Sequence, residues 1–163
     1  MRNLVATLFL AVLLTCGYAF AGNIPNITSI SEMTTQQYQT ITIQGSGFGT
    51  HAPYTGDSPY IQLNDLTKNW QAGYSIYNDW VTLIVSSWTD SEITLGGFAG
   101  KWGLYNWTLD NGDKIRIGVS NPQSGLGPSF GYTTVATPEP SSLMLLGSGV
   151  LGLAGVIRRK FSL

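Results

Sequence analysis

Cysteine and histidine are nearly missing from this 163-residue chain, which holds one of each, Cys16 and His51. A structural zinc site needs four nitrogen or sulfur ligands, so zinc chemistry has too few partners. A lone cysteine closes no intrachain disulfide. A Ser-His-Asp triad would rest on His51 alone, which sits in a loop beside Pro53 and Gly56 with no nucleophile elbow nearby. Charge is scarce as well, at 10% of residues. Between residues 22 and 136 the cations are Lys68, Lys101, Lys114 and Arg116, against eight carboxylates: Glu32, Asp57, Asp65, Asp79, Asp90, Glu92, Asp110 and Asp113. That mild acidity argues against nucleic acid, which calls for clustered Lys and Arg, and against adhesion to anionic lipid. The body also lacks any convincing stretch of helical period.

What the chain does have is a marked pair of ends. Residues 1–21 carry Arg2, an apolar run from about Leu4 to Leu14, and a small-x-small ending at Ala19-Phe20-Ala21. These are the parts of a helical secretory signal peptide, passed through the Sec translocon and cut by signal peptidase after Ala21, so that the mature chain starts at Gly22. A rival reading attaches lipid at Cys16, because Leu13-Leu14-Thr15-Cys16-Gly17 is similar to a lipobox, although Thr15 fits poorly before the cysteine.

At the other end Pro138-Glu139-Pro140 precedes an uncharged apolar run, 141–157, that stops at Arg158, Arg159 and Lys160. As a helix rising about 1.5 Å per residue, this run is just long enough to span a membrane. The basic cluster stays on the cytoplasmic side, which places everything before Pro138 outside. The three parts, in this order, resemble the PEP-CTERM sorting signal. The resemblance implies recognition by an exosortase, a membrane transpeptidase that cuts near Pro-Glu-Pro and passes the protein to the cell surface or extracellular matrix. The chain is then secreted across the inner membrane and anchored there by its C-terminal helix only until it is processed.

Between the ends, residues 22–136 suffice for one small domain. Thr40-Ile41-Thr42-Ile43-Gln44 alternates polar and apolar side chains, and so does Tyr60-Ile61-Gln62-Leu63. Residues 80–88 (WVTLIVSSW) have the β-branched and aromatic content of a central strand, on which Trp80 and Trp88, eight apart, point the same way. Short strands are expected at 92–95, 107–109, 114–119 and 131–135, with Asn111-Gly112 turning a type I′ hairpin between 107–109 and 114–119. About seven or eight such strands predict an all-β fold, a single antiparallel immunoglobulin-like β-sandwich. Pro25-x-Ile27-x-x-Ile30, the run from Thr40 to Gly49, residues 88–95, and Ile115 to Val119 with Phe130-Gly131-Tyr132 as a closing hairpin together are similar to the IPT/TIG module of bacterial surface proteins, which implies the same sandwich. Gly45-x-Gly47-x-Gly49 precedes no helix and reads as a tight turn, not a phosphate loop.

Candidate chemistry is thin. Asp79, Asp90 and Glu92 are the carboxylates from which a glycosidase pair could be drawn, but turn and strand-edge roles account for them. Asp110-Asn111-Gly112-Asp113 is too short for an EF-hand, and Asp57 with Asp65 is the other calcium candidate. The expectation is a protein that is no enzyme and carries neither metal nor cofactor. Aromatic residues are the informative feature: ten Tyr and Trp lie between Tyr54 and Trp107, many beside Asn, Gln and Asp. Rings that stack on sugar C–H faces beside amides that take hydroxyls are the chemistry of carbohydrate binding, and Trp70, Trp102 and Trp107 are the candidates, with core packing as the competing explanation. The sequence thus points to an exported cell-surface or matrix protein acting as a binding or structural module, alternatively as a carbohydrate-binding module for exopolysaccharide.

Overall fold

A computed structural model describes residues 23–74 and 81–136. The signal peptide with Cys16, Ala19, Ala21 and Gly22, the apolar helix at 141–157, the sorting residues Pro138, Glu139, Pro140, Arg158, Arg159 and Lys160, and Asp79 and Trp80 lie outside the described residues.

Within them the chain is all-β, and its strands follow from the two-residue alternation. They are β1 (Asn26–Ile30), β2 (Ile41–Ser46), β3 (Tyr54–Gly56), β4 (Ile61–Asp65), β5 (Trp70–Ala72), β6 (Val81–Trp88), β7 (Glu92–Gly100), β8 (Lys114–Val119) and β9 (Ser129–Thr134). Ile41 and Ile43, Ile61 and Leu63, Val81, Leu83 and Val85, and Ile115, Ile117 and Val119 all turn inward to one core. Burying each such side chain stabilises the fold by roughly 1.5–3 kcal/mol. The residues between them face outward.

The hydrogen bonds join these strands into one sheet, in the order β1-β2-β7-β6-β5-β4-β8-β9, with β3 on β6. The expected two-sheet sandwich is therefore not what the strand pairing forms. The sheet curls until its two ends nearly meet. β1 lies over β9 where Gly131 leaves room for Ile27 and Ile30, since a Cβ at 131 would stand 2.8 Å from both side chains. Just past these strands Met33 and Val135 form a parallel bridge, and Ala136 N–H donates to the Met33 carbonyl at 2.8 Å. Near-closure leaves little open edge for another chain to add to. Most neighbours are antiparallel, but β5 and β6 are parallel, a second departure from the expected architecture.

Two local expectations also change. β6 carries an irregular register between Ile84 and Ser87, so Trp88 turns inward although Val81, Leu83 and Val85 hold the opposite parity. A bulge, and not regular eight-residue spacing, puts Trp88 in the core, where its Nε1 donates to the Phe48 carbonyl at 3.0 Å. Residues 107–109 form no strand, and β8 pairs with β4 and β9 instead. The Asp110–Asp113 turn has positive φ at Gly112 (89°) but not at Asn111, which is the type II pattern and not type I′.

Candidate functional site

The three candidate tryptophans are not one platform. Trp70 is 7% exposed: the short β5 turns it inward and its neighbour Gln71 outward. Its ring meets Phe98 at 6.1 Å and Trp102 at 5.8 Å, both edge-on, while Trp102 stacks flat on Phe98 at 4.3 Å and 16°. One face of Trp102 is thus already covered by the core. Trp107 is half-buried and leans on the exposed Tyr105, centroids 5.1 Å apart and planes 52° apart. Trp70 and Trp102, at 78°, cannot stack on one flat sugar chain together.

The other candidates have local partners. Asp90 accepts from the backbone N–H of Gly49 at 3.0 Å and of Gly47 at 3.4 Å, so the glycine turn holds the chain's own carboxylate. Glu92 accepts from the Gln44 side-chain amide across the sheet and from the Thr94 hydroxyl. His51 packs among Tyr54, Trp88 and Tyr60, with Nδ1 donating to the Ala52 carbonyl at 2.7 Å, so it is less solvated than its loop position suggests. No group of three or more His, Cys, Asp or Glu stands close enough to hold a metal ion among the described residues.

A charge cluster, buried except at Asp110, lies where the β4–β5 turn meets residues 108–113. Asp65, at 1% exposure, accepts from the Thr67 and Lys68 backbone N–H groups at 2.8 and 2.9 Å through Oδ1, while Oδ2 is enclosed. Burial pushes its carboxyl above the ordinary carboxylate range; the two N–H donors oppose this and the neighbouring Asp113 adds to it. Asp113 is also buried and accepts from the Asp110 N–H at 2.7 Å. The Lys68 ammonium lies 2.7 Å from Asp110 and 3.6 Å from Asp113 and donates to the Thr108 carbonyl at 3.0 Å. This set ties two turns together.

The most built surface is the outer face of β5, β4, β8 and β9. Backbone register aligns Gln71 with Asn64, Asn64 with Arg116, and Arg116 with Tyr132. Strands about 4.8 Å apart make this a row of about 14 Å. Asn64 Nδ2 donates to Gln71 Oε1 at 3.3 Å, and Arg116 donates to Asn64 Oδ1 from Nη2 at 3.2 Å and Nε at 3.4 Å. The guanidinium also lies over the Phe130 ring, 4.9 Å from its centroid. In the next row, Gln62, Gly118 and Phe130 align. Any side chain at 118 would collide with the Phe130 ring at 2.8 Å and the Gln62 amide at 2.9 Å, so glycine there lets both lie along the sheet. Phe130 is 41% and Tyr132 67% exposed, large rings on the same face two residues apart. A cleft of about 250 Å³ between Pro59, Gln62, Tyr74, Gly118 and Pro128 extends the face at one end. Sequence reasoning passed over these rings by assigning them to a closing hairpin; the alternation of Phe130-Gly131-Tyr132 was the available signal.

Past β9 the chain leaves the sheet at Ala136, and the tail begins. Residues 136–160 match the PEP-CTERM protein-sorting motif. A PEP-CTERM motif implies exosortase processing, and with it export and transient membrane anchoring before delivery to the surface or outside. No family match supports the IPT/TIG likeness of the preceding domain. No curated protein and no solved structure matches the chain.

Proposed function

We propose that this is an exported, non-catalytic protein of the cell surface or extracellular matrix, whose domain holds exopolysaccharide on the outer face of β5, β4, β8 and β9. The single observation that carries this reading is the hydrogen-bonded row Gln71, Asn64, Arg116 beside the outward rings of Phe130 and Tyr132. Rings offer stacking surface to sugar C–H faces, and the side-chain amides supply donors and acceptors for hydroxyls. Holding the polar groups in place beforehand lowers the ordering cost of binding. Trp70 is absent from this reading, because it belongs to the core. The PEP-CTERM tail supplies the address: an exosortase releases the domain where polysaccharide accumulates.

The test is retention on exopolysaccharide purified from the host and coupled to resin. Wild-type protein is expected to be retained. The double variant Phe130→Ala/Tyr132→Ala should lose about tenfold or more in affinity, since tenfold corresponds to about 1.4 kcal/mol, within what two stacked rings contribute. Equal retention of wild type and variant would remove this face from the account.

A further inference from the structure

We infer that the face is built for an acidic polysaccharide, one bearing carboxylates such as uronate residues, an inference that rests on the sugar-binding reading above. The argument is one of charge placement. The domain is acidic as a whole, with four cations against eight carboxylates between residues 22 and 136. The outward positions of β5, β4, β8 and β9 reverse that balance. They hold Gln71, then Gln62 and Asn64, then Lys114, Arg116 and Gly118, then Phe130, Tyr132 and Thr134, so two of the four cations are here and no carboxylate is. The carboxylates of the adjoining turns, Asp65, Asp110 and Asp113, are occupied by Lys68 and by backbone N–H groups.

Arg116 is the centre of the site. Half-buried, it is fixed from two sides: Asn64 Oδ1 takes Nε and Nη2, and the Phe130 ring underlies the guanidinium. Its remaining N–H groups have no protein acceptor among the described residues. A planar fork already oriented is the group suited to binding a carboxylate through two parallel hydrogen bonds. Lys114, exposed and two residues before Arg116 on β8, is a second cation on the same face, beside a shallow depression lined by Leu66 and Tyr132. Two cations spaced along one strand, flanked by rings and amides, fit a repeating polymer whose charges recur between flat apolar sugar faces. They do not fit duplex nucleic acid, where affinity comes from many phosphate contacts and two cations supply too few.

The experiment measures binding of the mature protein, purified from its host, to three probes: polygalacturonate, the same polymer with its carboxylates reduced to alcohols, and duplex DNA. The expected result is binding to polygalacturonate about tenfold or more tighter than to the reduced polymer, weakening as salt rises because exposed charges are screened. Arg116→Gln should lower the affinity for polygalacturonate by a larger factor than that for the reduced polymer, narrowing the gap between the two. Tyr132→Ala, at an exposed position where folding is not at stake, should weaken both polymers alike. Equal affinity of wild type for native and reduced polymer, both sensitive to Tyr132→Ala, would overturn the acidic preference and leave the sugar-binding face standing. Failure to bind either polymer would count against the face itself. DNA bound as tightly as polygalacturonate would overturn the polysaccharide assignment.

Discussion

Phe98→Ala is expected to destabilise the domain by about 3–5 kcal/mol, the cost of emptying a core phenylalanine site that cannot fully collapse. Phe98 is fully buried on β7, opposite Leu83 of β6, with Trp102 stacked on its face and the edge of Trp70 against it. Both tryptophans lose their shared partner when the ring is removed. Collapse is also resisted by the backbone. Gly97, with φ of 112°, stands where a Cβ would lie 2.1 Å from the Gln37 carbonyl, and that same carbonyl accepts the Phe98 N–H at 3.0 Å. The strand is therefore pinned to the 31–40 loop and cannot shift to fill the hole. Urea denaturation followed by tryptophan fluorescence measures the loss, and thermal denaturation should show a fall of about 12 °C or more for a domain of this size. A loss below about 1 kcal/mol would mean that the ring cluster is not part of the core.

The second large effect concerns the buried acids. Asp113→Ala should cost about 2–3 kcal/mol, because it strands the Asp110 N–H and removes one carboxylate from the Lys68 ammonium. Asp65→Asn should behave differently. Asparagine keeps the acceptor for the Thr67 and Lys68 N–H groups and brings a donor to the enclosed side facing Asp113. Because burial raises the Asp65 pKa in the folded state, the folded chain holds that proton to a higher pH than the unfolded chain does. The stability contributed by this group is fully present below the ordinary carboxylate range and is lost as pH rises through the folded value. Asp65→Asn is thus expected to match or exceed the wild type near neutral pH and to flatten this fall. Denaturation curves taken from about pH 3 to pH 8 measure it, and an Asp65→Asn variant as unstable as Asp113→Ala would contradict a fold that favours the protonated Asp65 carboxyl.

These two clusters show what sequence could and could not convey. The inward residues of β2, β4, β6 and β8 were readable because a strand with one buried face must alternate. The single curled sheet was not readable, since a sandwich and a nearly closed sheet use the same alternation. They differ only in distant pairings such as the Met33 to Val135 bridge. Trp70 is a sugar-binding candidate by sequence because Lys68, Asn69 and Gln71 surround it. In the structure Asn69 takes a positive φ of 58°, which starts β5 and turns the indole inward opposite Asp65. Asp65, a calcium candidate by sequence, is a buried carboxyl instead, because its partners Lys68 and Asp113 stand in different turns. The outer-face row was hidden for the same reason: Gln71, Asn64, Arg116 and Tyr132 become neighbours only through register across four strands. The PEP-CTERM motif was fully legible, because its chemistry is written in linear order: prolines, an apolar run, then basic residues.

The most direct test of the whole account is the intact mass and location of the protein in its native host, with and without a working exosortase. The account predicts a mature species that begins at Gly22, lacks the segment after Pro140, and is found at the surface or in the matrix only when the exosortase works. A protein that keeps Arg158, Arg159 and Lys160 and stays in the inner membrane in both strains would contradict it, leaving a tethered domain with no route to an extracellular polysaccharide.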